Sequence, residues 1–233
     1  MKTPSEIIQA VRNDGRTALF EHEAKALMHS AGIIVPRFEL IDAQDAKAVL
    51  AAGERLGFPV ALKAVSAEIL HKTEAGAITL DIKGNPELAE ALRRMKETVA
   101  KRAPGAVIRY FLIEKMMPPG LELLIGGMRD EQFGPSVAIG LGGVWVEALR
   151  DAVFGILPLT HDETRDMISR TRAGMFLRGF RNSPPLDEEA VHLIIGNLAK
   201  LLTDLPEIRE IDLNPVRVYE KGAAALDARV ILA

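Results

Sequence analysis

The sequence predicts an α+β fold of two lobes. Helical and strand-like patterns both occur, but without the regular βαβ alternation of a doubly wound sheet. The chain of 233 residues is long enough for one large domain or two lobes with a real core. Its one shift of composition falls at "MMPPG", Met116–Gly120, which divides lobe A, about 1–115, from lobe B, about 116–233.

The elements follow in order. "TPSEIIQAVRNDG" reads as a helix with Thr3 as N-cap, Pro4 at the first position and Gly15 at the end. "TALFEHEAKALMHSAG" is a second amphipathic helix stopped by Gly32. "RFELI" is a short strand, and "DAQDAKAVLAAGERLG" a helix ending at Gly57. "PVALKAV" and "AITLDI" are strands, so the segment between them, which holds His71, is a loop. "NPELAEALRRMKETVAKRAPG" is a helix capped by Asn85, with Pro86 at its first position. "VIRYFLIEKMM" and "LELLIGGMRD" are strands parted by Pro118, Pro119 and Gly120.

"PSVAIGLGG", "VWVEAL" and "VFGILPL" are strand-like as well. "THDETRDMISRTRAG" carries a capping box, Thr160 followed by Glu163, and reads as one helix. In "DEEAVHLIIGNLAKLLTDL", Val191, Ile194, Ile195, Leu198, Leu201 and Leu202 keep the spacing of a buried helical face. "IREIDLNPVRVYEKG" and "AAALDARVILA" form a closing hairpin.

Composition excludes several classes. Hydrophobic residues at 48% and charged residues at 26% are an ordinary soluble balance. A net charge of -3 points to neither nucleic acid nor an anionic membrane surface. With no cysteine, disulfides, thiolate zinc sites and cysteine nucleophiles are ruled out, which fits a reducing, cytoplasmic setting. "MKTPSEIIQAVRNDG" lacks the apolar centre of a signal peptide, and no apolar run reaches the roughly 18–20 residues that cross a bilayer. The dinucleotide fingerprint fails in "GLGGVW", where Trp145 takes the last glycine's place, and the phosphate-loop motif is absent.

The C-terminal hairpin carries chemistry. Asp212 and Asn214 in "EIDLNPV" lie two apart and so share one face of a strand. A loop over Tyr219–Gly222 pairs Val218 with Ala223, and that register sets Asn214 opposite Asp227. Two or three hard oxygen ligands on one face suit Mg²⁺ with retained water. The alternative is that Asn-Pro marks a turn or strand end and the acids are solvated.

Lys63 sits inside an apolar strand and needs a partner: a phosphate, an acidic side chain, or solvent at a sheet edge. Glu114 ends one apolar strand and Glu122 begins the next. Both acids fit a ribose hydroxyl or an adenine amine, and both fit a solvated strand end. "GLGG", Gly140–Gly143, fits close approach to a phosphate and equally a tight turn. Of the five histidines, His22, His29, His161 and His192 fall in helical patterns and read as surface or interface residues. His71 alone lies in a loop between strands, where functional groups tend to sit; an exposed histidine without a role is the other reading.

Three segments together carry a resemblance: "ALKAVSAEILHKTEAGAI", "IEKMMPPGLELLIGGMRDEQFGPSVAIGLGGVWVEALRD" and "EIREIDLNPVRV". They resemble the β subunit of ADP-forming acyl-CoA (acetyl-CoA) synthetases over nearly the whole chain. The resemblance implies an ATP-grasp fold, two α+β lobes that clamp a nucleotide. It implies that Lys63 contacts phosphates, that Glu114, Lys115, Met116 and Met117 read adenine, and that Glu122 holds the ribose. It implies Asn214 and Asp227 as ligands of Mg²⁺, and ATP or ADP as substrate. His71 would carry a phosphoryl group on a mobile loop, with Asp212 as the carboxylate that steadies its imidazole.

A partner α subunit that binds CoA and the acyl group, with its own active-site histidine, would complete a hetero-oligomer. The expected reaction converts acyl-CoA, ADP and phosphate into a carboxylic acid, CoA and ATP. "AGMFLRGFRNSPPLD", Ala173–Asp187, departs from the family pattern, so no catalytic role is carried onto it; contact with the partner is one use open to it. Two other functions remain open on the residues: a stand-alone ATP-grasp ligase joining a carboxylate to an amine, and a nucleotide-sensing module without catalysis.

Overall fold

The computed structural model describes residues 2–69, 72–143 and 151–233. Helix α1 (Pro4–Asn13) starts at a capping box: the Thr3 side chain accepts from Glu6 N–H, and Glu6 accepts from Thr3 N–H at 2.7 Å. Helix α2 (Glu21–Ser30) begins four residues later than the sequence pattern predicts. The chain before it is taken up by long-range pairing, with Ala18 bridging Ile231 and Leu19 N–H donating to Val230 O.

Residues 36–118 form one compact unit. Strand β1 (Phe38–Asp42) leads to helix α3 (Ala46–Leu56), which Asp45 caps and Gly57 ends at a φ of 76°. Strands β2 (Val60–Val65) and β3 (Ile78–Ile82) precede helix α4 (Asn85–Arg102) and strand β4 (Tyr110–Lys115). The strands make an antiparallel sheet in the order β1-β4-β2-β3. Val49, Ala52 and Leu56 of α3 and Leu88, Leu92, Met95 and Val99 of α4 bury against Leu62, Phe111 and Ile113 of the sheet. The cap of α4 is Gly84 rather than Asn85, whose amide instead donates to Glu54; Glu87 satisfies Lys83 N–H at this end.

Residues 1–35 join 119–233 in the second unit, although the shift at Met116–Gly120 predicts that they belong with 36–115. Their apolar faces explain the difference. Ile7, Ile8 and Val11 of α1 and Leu27 and Met28 of α2 enter one core with residues beyond 120, not with the 36–118 sheet.

That core forms beneath a six-stranded antiparallel sheet. Strands β5 (Leu121–Asp130), β6 (Gly134–Leu141) and β7 (Val153–Ile156) lead into helices α5 (His161–Ser169), α6 (Arg172–Leu177) and α7 (Glu188–Asp204). Strands β8 (Ile208–Val218), β9 (Ala223–Ala225) and β10 (Arg229–Leu232) follow, in the order β10-β8-β5-β6-β7 with β9 also on β8. The pattern "VWVEAL" lies outside the described residues. The single helix predicted over 160–174 is two, because Thr171 leaves the helix and caps α6 through Gly174 N–H.

Helix α7 buries the face its spacing predicts, with Val191, Ile194, Ile195, Leu198, Leu201 and Leu202 all in the core. It lies so close to β5 that a Cβ on Gly127 would come within 2.5 Å of Leu198 and 2.4 Å of Leu202. Among the described residues, no helix is long and apolar enough to cross a membrane. Truncating the fully buried Leu198 to alanine is expected to cost about 2–5 kcal/mol of stability. Leu193→Ala, at a position 60% exposed on the same helix, should stay within about 0.5 kcal/mol. Urea midpoints of the two variants check the contrast.

Candidate functional site

Strand β8 sets the site in the larger unit. Its inward side chains are Ile211 and Leu213, then Val216 and Val218, so the alternation breaks at Asn214–Pro215. The break is a bulge. Across β5, Ile125 pairs with Leu213 and Leu123 with Val216, so Asn214 and Pro215 together face Leu124. Proline tolerates the position because a bulge does not require its missing N–H. Its carbonyl still accepts from Leu226 N–H at 2.9 Å. As a result Asp212, Asn214 and Arg217 all avoid the core. Asn-Pro is therefore a mid-strand bulge here, not a turn or strand end.

On the other edge of β8 the predicted register holds. Val218 pairs with Ala223 and Asp212 with Arg229, and this common register carries Asn214 to the position opposite Asp227. Burial, reinforced by Glu210 and Asp227 nearby, pushes the Asp212 carboxyl above the usual carboxylate range, against the pull of Arg229. Asn214 Oδ1 accepts from Gly143 N–H at 3.0 Å, and Asp227 Oδ1 from Ala228 N–H at 2.8 Å.

These oxygens fit a hard divalent cation, since excess negative charge and carboxylate or amide oxygens collect on one face. Among the described residues no three His, Cys, Asp or Glu side chains gather into a metal site.

Glu122, at the start of β5, lies directly across the ladder from Arg217 and is ion-paired with it at 2.5 Å. Sequence patterning did not single out Arg217. Its signal is a cation opposite an acid, visible only once β5 and β8 are known to pair. "GLGG" runs off the end of β6: Gly140 and Leu141 pair with Leu124 and Leu123 of β5, and Gly142 N–H donates to Glu122 O at 2.8 Å.

The 36–118 unit brings together Lys63 and Glu114. Lys63 pairs with Leu112 and Ala61 with Glu114, which makes the two charged residues diagonal neighbours on one face of the β2–β4 ladder. Each is 5% exposed, and Nζ stands 3.4 Å from Oε1. Of the partners open to Lys63, the structure supplies an acidic side chain.

Lys115 turns its ammonium to the carbonyls of Gly57 and Phe58, at 2.8 Å each, and Met116 N–H donates to Pro59 O. The segment Glu114–Met117 is thereby fastened to the α3–β2 turn. His71 lies outside the described residues. The chain on both sides of it is anchored: Ile69 is buried, Glu68 accepts from Ser66 and Val107, and Ala77 N–H donates to Lys72 O at 2.7 Å. Of the other histidines, His161 and His192 stack with ring centres 4.1 Å apart between α5 and α7.

The fold and these residues describe a nucleotide-binding protein of the ATP-grasp class, and comparison with known proteins agrees. A model of the ATP-grasp domain matches residues 10–232. The β subunit of ADP-forming acetate–CoA ligase I of Pyrococcus furiosus is 40% identical over 227 residues, 97% of each chain. Acetyl-coenzyme A synthetase 1 of Candidatus Korarchaeum cryptofilum, in complex with coenzyme A and Ca-AMPCP, superposes with a TM-score of 0.94 at 37% identity, over 99% of this chain and 100% of that one. A second structure of that enzyme holds Mg-AMPPCP, with a phosphohistidine segment pointing towards its nucleotide-binding site; the TM-score is 0.86 at 35% identity, with the same coverage. The chain belongs to the ATP-grasp family and, within it, to the β subunits of ADP-forming acetate–CoA ligases.

Because Lys63 and Glu114 are both buried, Lys63→Met leaves a buried carboxylate without that cation. The variant is expected to lose roughly 3–5 kcal/mol of stability. Adding Glu114→Gln should recover a good part of the loss. Strictly additive single and double variants in urea unfolding would show that the pair does not couple.

Proposed function

We propose that this chain is the nucleotide-binding phosphotransfer subunit of an ADP-forming acyl-CoA synthetase. With a partner subunit it converts acyl-CoA, ADP and phosphate into carboxylic acid, CoA and ATP, reversibly. The observation that carries the reading is the bulged strand β8, which sets Asp212, Asn214 and Arg217 on one side of the sheet, with Asp227 opposite Asn214 and Glu122 opposite Arg217. The family supplies the chemistry that such a face can serve.

Each group has a role in this scheme. Lys63 neutralises phosphate charge, and Glu114–Met117 read the adenine. Glu122 accepts from the ribose. Asn214 and Asp227 hold Mg²⁺, which when bound would offset the charge that transfer spreads over the phosphate oxygens.

The imidazole of His71 is the nucleophile. Near neutral pH an appreciable fraction of imidazole is unprotonated and able to attack phosphorus. A nitrogen–phosphorus bond forms as the partner's phosphohistidine gives up its phosphoryl group. The terminal oxygen of ADP then attacks that phosphorus, the nitrogen–phosphorus bond breaks, and ATP leaves. Asp212 steadies the imidazole, fixing its tautomer and balancing the positive charge on the phosphorylated ring.

The partner is a CoA-binding α subunit with its own active-site histidine, and the setting is cytoplasmic. In this scheme Lys63, held in place by Glu114, also meets the incoming phosphate.

Incubation of the chain with γ-labelled ATP and Mg²⁺ should place an acid-labile phosphate on His71. His71→Ala should lose the label while ADP still binds. Label on another residue, or full synthetase activity of the variant with its partner, would sink the phosphate-carrier role. Asp227→Asn should raise the Mg²⁺ concentration needed for labelling by roughly tenfold, the loss of one charged ligand. An unchanged Mg²⁺ requirement would remove Asp227 from the cation site.

A further inference from the structure

The Glu122 carboxylate is gripped from two sides by elements distant in sequence. Arg217 stands across the β5–β8 ladder, with Nη2 2.5 Å from Oε1. Oε2 fills the place beside Gly143, where an added Cβ would come within 2.2 Å of it, and Gly143 has a φ of +62°. A side chain at 143 would strain the backbone and displace the carboxylate.

The backbone closes the same corner. Gly142 N–H donates to Glu122 O, and Gly143 N–H donates to Asn214 Oδ1. Arg217 is braced in turn. Its Cγ lies 2.9 Å from where a Cβ on Gly120 would stand.

A carboxylate offers about four acceptor positions. Arg217 occupies part of that capacity and leaves the rest for a ligand. A pair of vicinal hydroxyls, each donating one hydrogen bond, suits what remains. A glutamate on a strand end samples several rotamers, and confining them on binding lowers affinity. A partner that confines them beforehand removes that cost.

We propose that Arg217 is a positioning residue for nucleotide recognition: it holds Glu122 in the orientation that accepts the ribose hydroxyls, and so sets the discrimination between ribo- and deoxyribonucleotides. The inference rests on the reading of Glu122 as the ribose acid. Arg217 does not touch the nucleotide in this scheme; it acts through the carboxylate.

The test is calorimetric titration of the full chain with ADP and with 2′-deoxy-ADP, each with Mg²⁺. The wild type is expected to favour ADP by roughly tenfold, the worth of a hydrogen bond to a charged acceptor. Glu122→Ala should abolish that preference. Arg217→Met, which keeps the aliphatic stem, should remove most of it by weakening ADP while 2′-deoxy-ADP changes less than about twofold. Arg217→Lys should retain part, and the double variant Glu122→Ala with Arg217→Met should be no worse than Glu122→Ala alone.

Full preference in Arg217→Met overturns the role of Arg217 and leaves that of Glu122 standing. Equal weakening of both ligands also overturns it, because a merely structural residue behaves that way. Full preference in Glu122→Ala overturns the ribose assignment itself, and the inference with it. Should Arg217→Met fail to fold, Arg217→Gln carries the same comparison.

Discussion

Strand β8 has to satisfy two neighbours that count residues differently. Along β9 and β10 one register runs from Val218 to Asp212. Along β5 the ladder slips by one residue at Asn214–Pro215. A strand with side-chain period two admits such a slip only by turning part of itself over. The result is the β8 part of the larger unit's candidate site: Asp212, Asn214 and Arg217 avoid the core, while Ile211, Leu213, Val216 and Val218 all face inward. Without the bulge, Arg217 would point into the core or Asp212 would.

The two units handle buried charge in different ways. In 36–118 a lysine and a glutamate lie deep in a small sheet and meet each other. Burying both is expensive unless each keeps a partner, so the pair is sensitive to the loss of either. In the larger unit the charges sit on a half-open face, where Glu122 and Arg217 keep contact with water and pair without full desolvation. The first arrangement favours a fixed cation, the second a carboxylate that can accept a further donor.

Much of this was legible in the sequence because it is local. Thr3, Thr160 and Gly57 bound their helices by short-range hydrogen bonds and backbone preference. The loop Tyr219–Gly222 fixed the register of Val218 with Ala223, and with it the place of Asn214 relative to Asp227. What was hidden depends on partners far along the chain. The bulge needs β5, and the Lys63–Glu114 pair needs the β2–β4 register. The allegiance of residues 1–35 needs the bridge from Ala18 to Ile231. Arg217 is hidden for the same reason, since the acid it pairs with, Glu122, lies 95 residues away. The role proposed for His71 rests on family resemblance alone, as no local pattern separates a phosphate carrier from an idle loop histidine.

The bridge between Ala18 and Ile231 bears on the order in which the molecule is made. The 36–118 unit is contiguous, and its entry and exit are hydrogen-bonded neighbours, with Lys115 N–H donating to Arg37 O at 2.9 Å. It can close its core as soon as Lys115 has left the ribosome. The other unit cannot. Its first helices must wait, apolar faces uncovered, for a last strand synthesised some two hundred residues later. During that interval α1 and α2 are the segments of the nascent chain most exposed to holding factors and to mispairing.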